Sequence, residues 1–335
     1  AKSAPKPVPG HPNQWSIAQD VFIDDESIAN NLMLDAIKRG AEAIIITSEK
    51  DFRNRRKIIA AGLSAVAAVS LAGGVLADAH DTSEPLKPTP LKTINSYNNY
   101  YEFGFDKSDP SEAEKTLITS PWSVEITGAG ADKKGVYDLA DMYGEFAIES
   151  HVRRFRCVEA WSMVIPWNGI PLHKVIAAAQ PNSRAKYVRF VTVNDATQMP
   201  NANWAGGPYT EGLTIAEAMN PLALLATGIY DQPLEQQTGA PIRLVLPWKY
   251  GFKYAKSIVR IELVETMPET TWWQQNSREY GFYANVSPHH NHPRWSQKTE
   301  RVIGGFGRQR TQVYNGYAEE VAHLYGALED RKYFY

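Results

Sequence analysis

Cys157 is the only cysteine in this 335-residue chain, and it lies in a strongly charged segment. Arg153, Arg154 and Arg156 come just before it, and Glu159 follows it. Nearby cations lower the pKa of a thiol and favour the thiolate, which is both a nucleophile and a soft metal ligand. A disulfide framework, a cysteine-rich zinc site and an all-cysteine iron–sulfur cluster are excluded, because each needs several sulfur ligands from one chain.

A single cysteine in this setting has three possible roles. A soft thiolate suits a metal whose other ligands come from a cofactor such as a dithiolene. His151 and His173 permit a cysteine–histidine hydrolase, although no glycine-rich nucleophile turn accompanies them. The third interpretation is an extracytoplasmic binding module without a cofactor, in which Cys157 is a small buried hydrophobe that resists alkylation.

A histidine-rich stretch at residues 289–292 is the other place that could attract a metal. Adjacent imidazoles rarely converge on one ion, so we predict a solvated loop there instead. The metal hypothesis therefore rests on Cys157.

Several long motifs occur together and in order. They read SYNNYYEFG at residues 96–104, RCVEAWSM at 156–163, GAPIR at 239–243, PWKYGFK at 247–253, YGFYANV at 280–286 and HPRWSQ at 292–297. With this set the chain resembles the catalytic subunits of the periplasmic protein-methionine-sulfoxide reductases, in the sulfite-oxidase-type molybdopterin family. The likeness covers almost everything after Ile94.

The resemblance implies a sulfite-oxidase-like fold that binds one molybdenum–molybdopterin per chain, with Cys157 as the metal ligand. It also implies a monomer, since no carboxy-terminal immunoglobulin-like dimerisation domain is expected. Cofactor contacts carry over to Asn98, Tyr101, Glu102, Thr192, Thr238, Arg243, Tyr254, Ala255 and Lys256. Arg243 as a bidentate fork and Lys256 as a point charge suit the phosphate of the pterin. Thr238 stands where relatives can have asparagine, so only a backbone contact would survive there.

The activity implied is reduction of methionine sulfoxide in oxidised periplasmic proteins by oxygen-atom transfer. Glu159 and Tyr101 are candidate proton or positioning groups, chosen for their closeness in sequence to the ligand or to a motif. Electrons must come from outside, because the chain has no haem-attachment, flavin or nicotinamide motif. The resemblance suggests a membrane haem subunit fed by quinones as the donor. A sulfite-oxidase-like reaction, or reduction of small S- or N-oxides, stays open.

These residues must be positioned by a strand-rich body. Runs rich in β-branched and aromatic residues predict strands at Trp122–Thr127, Tyr187–Val193, Ile242–Leu246 and Ile258–Val264. Helical patterns predict helices at Pro171–Ala179, Thr214–Met219 and Gln312–Leu328. The predicted fold class is therefore α+β with β dominant, in one compact domain from residue 94 to 335.

The segment before that domain indicates export. Arg55 and Arg56 precede a weakly apolar stretch that ends in the small-x-small sequence Ala77-Asp78-Ala79. This pattern, over residues 53–79, is typical of a twin-arginine signal and predicts a periplasmic protein. Residues 80–93 then form a proline-containing linker, whereas residues 1–52 form an extension of unknown role.

Bulk composition names no partner. Lysine and arginine total 35 against 37 aspartates and glutamates, which leaves a formal net charge of −2. A balanced charge lacks the electrostatic footprint of a nucleic-acid binder, so none is expected as a partner.

Overall fold

The computed structural model describes residues 86–327 and 330–334, all within one compact unit. The predicted extension, the signal segment and the first part of the linker lie outside the described residues, as does Leu328. Within the described ranges, no helix has the length and apolarity required to cross a membrane.

The first sheet has five strands and carries much of the scaffold. Its members are β1 (Ser123–Thr127), β2 (Gly135–Asp138), β5 (Tyr187–Thr192), β6 (Thr210–Thr214) and β10 (Ile258–Val264), in the order β2-β1-β10-β5-β6. β1 and β10 run parallel, and the other neighbours are antiparallel. β1 alternates buried and half-buried side chains, with Val124 and Ile126 turned into the core. Such alternation is what a strand with one face on the core requires.

The second sheet has seven strands arranged around one long strand. Its members are β3 (Glu149–Cys157), β4 (Trp161–Pro171), β7 (Leu224–Ile229), β8 (Gln232–Pro233), β9 (Arg243–Val245), β11 (Thr299–Val302) and β12 (Arg308–Arg310). β3 pairs with β4 along its whole length, while β7 and β11 take the other edge of β4. Every residue of β7 is buried, as expected for a continuous apolar run in the middle of a sheet.

Short helices connect these strands. They are α1 (Leu91–Ser96), α2 (Ala113–Thr116), α3 (Leu139–Glu145), α4 (Leu172–Ala178), α5 (Ile215–Ala218), α6 (Thr271–Asn276) and α7 (Ala318–Val321). α5 begins with a capping box, in which the Thr214 hydroxyl accepts from the Glu217 N–H and the Glu217 carboxylate accepts from the Thr214 N–H. Buried apolar side chains from both sheets form one large cluster. The predicted α+β, β-rich fold class is confirmed.

The four predicted strands coincide with β1, β5, β9 and β10 to within one residue at each end. The first two predicted helices match α4 and α5 equally well. Sequence patterns missed β3 and β4, whose hairpin holds Cys157. Pro166 and Gly169 interrupt β4, and both residues argue against a strand when read locally.

The continuous helix predicted at Gln312–Leu328 is wrong. Tyr314 and Asn315 have φ angles of 50° and 56°, which lie in the left-handed region. A right-handed helix cannot pass through such residues, so the segment breaks into 3₁₀ turns and the four-residue α7.

Thr89, which precedes the boundary predicted at Ile94, is bonded to the second sheet. The Thr89 N–H donates to the Val164 carbonyl at 2.8 Å, and the Thr89 hydroxyl accepts from the Val164 N–H at 3.1 Å. The Thr89 carbonyl also accepts from the Tyr230 hydroxyl at 2.9 Å. The body therefore includes the end of the predicted linker, because Thr89 is pinned to β4.

Two buried ion pairs hold the segment 249–253, which leads toward the predicted cofactor residues. Lys249 pairs with Glu217 at 2.5 Å, Lys253 pairs with Glu211, and all four side chains are almost completely buried. Lys249 also donates to the Asn285 amide oxygen at 2.9 Å. Since an unpaired buried charge is costly, each pair constrains its loop strongly.

We expect Lys253→Met to lower the free energy of unfolding by roughly 3–5 kcal/mol, because it leaves the Glu211 carboxylate buried without its cation. Urea unfolding followed by circular dichroism measures the effect. Arg184→Met is the control: it opens the exposed Arg184–Glu265 pair and should cost less than about 1 kcal/mol. Equal losses in the two variants would contradict the prediction.

Candidate active site

A cavity of about 530 Å³ lies beside the closed end of the β3–β4 hairpin. This volume is in the range of pockets that hold small molecules and cofactors, roughly 300–1,000 Å³. The predicted site residues that line it are Asn98, Tyr101, Glu102, Cys157, Glu159, Thr192, Thr238, Arg243, Tyr254 and Lys256. Ala255 does not line it: the residue is fully buried, and its carbonyl accepts from the Leu244 N–H. Residues scattered over about half of the sequence thus meet in one space.

The hairpin turn presents Cys157 to this cavity. Cys157 is the last residue of β3 and pairs with Trp161, the first residue of β4. The three residues between them form a tight turn that is closed by the Ala160 N–H on the Cys157 carbonyl, with Ala160 at a φ of 60°. A left-handed residue at this position is typical of three-residue hairpin loops. The Glu159 N–H points back at the thiol sulfur, 3.5 Å away.

The prediction that neighbouring arginines activate this thiol is wrong. Successive side chains of a strand point to opposite faces, and Arg156 turns away from the cavity to pair with Glu300 at 2.6 Å. Burial, together with the negative charge of Glu159, raises the pKa of the Cys157 thiol to about 12. Lys107 and Arg156 offset only part of this increase.

Glu159 lies in a cluster of donors beside the sulfur. Its carboxylate accepts from the Asn99 amide at 3.1 Å and from the Trp161 indole at 3.0 Å, and it pairs with the Lys107 ammonium at 2.9 Å. The Asn99 amide nitrogen is also 3.6 Å from the Cys157 sulfur. Burial alone would raise the pKa of Glu159, but these hydrogen bonds and Lys107 hold the pKa below its usual value. Glu159 is therefore an anion at neutral pH.

Sequence reasoning missed Asn99, Trp161 and Lys107 as functional residues. Asn99 lies in the motif SYNNYYEFG and Trp161 in the motif RCVEAWSM, and both motifs contain predicted site residues. Membership of these motifs could therefore have identified Asn99 and Trp161. Lys107 lies outside every motif. Only the fold brings it to Glu159.

Arg243 and Lys256 form a second group of charges in the cavity. The Arg243 guanidinium lies 5.0 Å from the Trp167 ring centre and donates to the Thr238 carbonyl. Among the described residues, no carboxylate comes within ion-pair distance of either cation. Burial lowers the pKa of Arg243 to about 10, and burial together with Arg243 lowers the pKa of Lys256 to about 7. Glu102 acts on Lys256 only from beyond ion-pair distance, so these two buried basic groups favour an anionic ligand.

Gly239 makes room for one of these cations. Its φ is +99°, in the left-handed region that favours glycine, and it ends the 3₁₀ turn Gln236–Thr238. A side chain at Gly239 would begin 2.7 Å from the Lys256 Cγ. The glycine therefore lets the Lys256 stem pack against the backbone on its way to the cavity.

Most of the other predicted cofactor-binding residues already make hydrogen bonds within the protein. The Asn98 amide nitrogen donates to the Ile94 and Asn95 carbonyls, which leaves its oxygen as the available group. Glu102 is buried, and burial raises the pKa of its carboxyl. The buried Thr192 hydroxyl donates weakly to a backbone carbonyl at 3.4 Å. The Tyr254 hydroxyl donates to the Leu246 carbonyl at 2.7 Å, so this residue offers its ring to the cavity.

Aromatic rings line the part of the cavity around Tyr101. The Tyr101 ring packs edge-on against Trp204 at 5.3 Å and Trp272 at 5.6 Å, and Trp272 contacts Tyr280 at 4.6 Å. Burial raises the pKa of the Tyr101 hydroxyl, with further contributions from the charges of Glu159 and Cys157. Tyr101 therefore keeps its proton at neutral pH and can donate a hydrogen bond.

The solvated loop predicted at residues 289–292 is wrong for part of that stretch. His289 is exposed, but His292 is buried and stacks on Trp295 with ring centres 3.7 Å apart. The Trp295 indole N–H donates to the Val158 carbonyl at 2.7 Å. His292 is thus connected through Trp295 to the hairpin turn that holds Cys157.

Unpartnered polar atoms test whether a cofactor fits. Asn99 Oδ1, Trp167 Nε1 and Arg243 Nε are buried, belong to residues that line the cavity, and have no hydrogen-bond partner. Buried polar atoms in native proteins are usually paired, so a ligand with several heteroatoms is expected beside them. A molybdopterin matches the donor set, since its phosphate suits the two cations, its ring heteroatoms suit the amides and its metal suits the thiol. The residues present fit the cofactor.

Comparisons with known proteins identify the family of this chain. Residues 112–273 match the family described as the oxidoreductase molybdopterin binding domain. The fold and the cavity thus define a molybdopterin-binding oxidoreductase. The sulfane dehydrogenase SoxCD from Paracoccus pantotrophus aligns with a TM-score of 0.42 and 16% identity over 62% of this chain and 59% of that chain, too weakly to add to the argument.

Two curated relatives carry the name protein-methionine-sulfoxide reductase catalytic subunit MsrP. The protein from Xanthomonas campestris pv. campestris is 47% identical over 327 residues, covering 90% of this chain and 99% of the relative. That from Xanthomonas axonopodis pv. citri is 48% identical over 316 residues, covering 86% of this chain and 96% of the relative. The chain belongs to the MsrP family, within the sulfite-oxidase-type molybdopterin enzymes, as its motifs had predicted.

In protein prepared without cofactor, we expect Cys157 to react only slowly with iodoacetamide at pH 8. Only the thiolate attacks, and burial raises the pKa of this thiol to about 12. Mass spectrometry counts the label, and the same protein in urea should take up one equivalent promptly. Fast labelling of the folded protein would show that the thiol is accessible and activated. Slow labelling is therefore expected both for a molybdenum enzyme without its cofactor and for a binding module that has no cofactor. Measuring the molybdenum content distinguishes these two hypotheses.

Proposed function

We propose that this chain reduces methionine sulfoxide in proteins, with one molybdenum–molybdopterin per chain and Cys157 as the ligand that the protein supplies to the metal. Membership of the MsrP family supports the reaction, because the curated relatives are named for it. The position of the thiol in the wall of a cofactor-sized cavity supports the ligand. When bound, the cofactor supplies reversible oxygen-atom transfer coupled to two electrons, and the protein supplies binding, orientation and protons.

Different residues of the cavity would bind different parts of the cofactor. Arg243 and Lys256 would hold the phosphate, and the Thr238 carbonyl and the Trp167 ring fix the direction of the Arg243 guanidinium. Polar groups of Asn98, Glu102 and Thr192 line the same space and would take the hydrogen-bonding edge of the pterin. Ala255 contributes through its backbone, which sets the positions of Tyr254 and Lys256 on either side of it.

The charges around Cys157 favour a neutral substrate over an anionic one. The charged side chains that most affect the thiol are Glu159, Lys107 and Arg156, and each is paired within the protein. Lys256 also lies within electrostatic reach of the thiol, but the cofactor phosphate would occupy it. A sulfite dianion would thus meet no free cation from the described residues around the thiol, whereas a neutral sulfoxide needs none. This pattern favours sulfoxide reduction over the sulfite-oxidase-like alternative.

Tyr101 and Glu159 would have different roles in the reaction. Sulfoxide reduction consumes two electrons and two protons and releases water. Tyr101 keeps its phenolic proton at neutral pH and would donate a hydrogen bond to the sulfoxide oxygen. Glu159 stays ionised and would hold Asn99 beside the sulfur. Glu159 is thus a positioning residue in this proposal, because an ionised carboxylate has no proton to donate.

The proposed setting is the periplasm, reached by the twin-arginine route. The paired arginines and the small-x-small sequence of residues 53–79 support export. Electrons would come from a membrane haem partner, since the chain carries no second redox motif of its own. Oxidised periplasmic proteins would be the substrates of a monomeric catalytic subunit.

We expect Cys157→Ser to lose molybdenum and turnover while it keeps its fold, because a hydroxyl is a poor replacement for a soft thiolate ligand. Elemental analysis and circular dichroism of protein from a cofactor-producing host measure the two properties. Val152→Ala, at a half-exposed position on the same strand, is the control and should keep the metal. Full molybdenum and full turnover in Cys157→Ser would contradict the ligand assignment.

We expect the holoenzyme to oxidise a reduced viologen dye when methionine sulfoxide is added, and not to reduce ferricyanide when sulfite is added. The reason is the paired charge around Cys157, which offers no site for an anion. Visible absorbance of the two dyes measures both reactions. Sulfite oxidation without sulfoxide reduction would establish the sulfite-oxidase-like alternative in its place.

A further inference from the structure

Arg294 is held at the cavity on several sides. Its Nη2 donates to the Glu279 carboxylate at 2.7 Å and to the Tyr280 hydroxyl at 3.2 Å. Its guanidinium carbon lies 4.9 Å from the centre of the Trp295 ring. The side chain is nevertheless 57% exposed, whereas that of Glu279 is only 15% exposed. A long side chain fixed in this way has already lost much of the rotational freedom that binding would cost.

Donors remain on this guanidinium. Within the described part of the chain, Arg294 Nη1 and Nε have no hydrogen-bond partner, while Arg294 lines the cavity. Glu279 neutralises the positive charge but occupies only one side of the group. The pair therefore offers N–H donors to the cavity without a net charge. Such a site suits an uncharged ligand with a strong acceptor oxygen better than an anion.

Arg294 faces the same space as the proposed metal ligand. The next residue, Trp295, donates to the carbonyl of Val158, which directly follows Cys157. The Tyr101 hydroxyl lies within electrostatic reach of Arg294, Glu159 and Cys157. Tyr101, Arg294 and Cys157 all line the same cavity, so a small group bound there lies among the three side chains.

The chemistry of a sulfoxide matches this arrangement. Its oxygen carries the negative end of the S–O dipole and accepts hydrogen bonds, whereas its sulfur carries the positive end and its methyl group is apolar. The rings of Tyr101, Trp272 and Trp295 line the cavity beside Arg294. The oxygen and the methyl–sulfur end would thus meet different walls, which would orient the group.

We propose that Arg294 binds the sulfoxide oxygen of the substrate and that Glu279 is the positioning residue that holds Arg294 there. This inference rests on the proposed function and assigns a substrate-recognition role to the HPRWSQ motif. Glu279 also contributes to specificity, because its charge cancels that of Arg294 and so keeps anions from competing.

The test measures binding without turnover. Oxidised, molybdenum-loaded enzyme is titrated with methionine sulfoxide and separately with methionine, in the absence of an electron donor, and tryptophan fluorescence is recorded. Arg294→Gln should raise the Kd for methionine sulfoxide about tenfold, the loss of one charged hydrogen bond. The Kd for methionine, which lacks the oxygen, should stay within about twofold. In turnover assays the KM for the sulfoxide should rise more than kcat falls.

A second variant tests the positioning role. Glu279→Gln keeps a hydrogen-bonding side chain but leaves the Arg294 charge uncompensated, so sulfite should become a stronger competitive inhibitor, by about tenfold. Arg184→Gln is the control, because the Arg184 side chain is about as exposed as that of Arg294, is paired with a glutamate, and lies outside the cavity lining. Molybdenum content and the unfolding midpoint of each variant show whether the fold is retained.

The outcomes separate the two proposals. A wild-type enzyme that neither binds nor reduces methionine sulfoxide would overturn the proposed function and this inference together. If the wild type is active, an Arg294→Gln variant that matches Arg184→Gln in every constant would overturn the role of Arg294 alone. Equal weakening of methionine and methionine sulfoxide would also overturn it, since a merely structural role affects both ligands.

Discussion

The buried pair between Arg156 and Glu300 is the interaction on which the site depends. Arg156 is completely buried and comes from the hairpin, whereas Glu300 comes from β11, far along the chain. The same guanidinium donates to Gln297 and Thr311. A charge with this many partners has no alternative position, because any displacement would leave it unpaired in the core. The end of β3, and with it Cys157, is fixed by that requirement.

The carbonyl of Val158 extends this constraint to the other side of the cavity. It accepts from the Gln297 amide at 2.8 Å and from the Trp295 indole at 2.7 Å. One turn of the hairpin is thereby bonded to the segment that carries Arg294. The thiol and the proposed substrate-binding residue are placed relative to each other by a few hydrogen bonds, which suits a reaction that needs its groups aligned closely.

Separation of charges organises the rest of the cavity. Around Cys157 the ionised groups are paired within the protein, whereas in residues 86–327 and 330–334 no carboxylate lies at ion-pair distance from Arg243 or Lys256. The first region therefore tolerates neutral molecules, while the second requires an anion from outside the chain. One cavity can thus bind an anionic cofactor in one region and a neutral substrate in the other. The buried ion pairs of Lys249 and Lys253 support this arrangement, because they fix the loop that leads to Lys256.

The sequence by itself determined the local structure and the family. Strand propensity identified β1, β5, β9 and β10, a proline marked the start of α4, a short amphipathic pattern marked α5, and the motifs identified the cofactor class. All of these depend on neighbours along the chain, so a linear pattern contains them. Residues of the cavity wall within those motifs were predictable for the same reason.

Only the tertiary structure decided the electrostatics of the site. Arg156 is adjacent to Cys157 in sequence, yet strand alternation sends its side chain to the opposite face, and burial then raises the pKa of the thiol. Lys107 and Glu279 act on the site from distant parts of the chain, with no motif to mark them. The physical reason is that solvation and Coulomb interactions depend on distance and burial in three dimensions, which residue order does not specify.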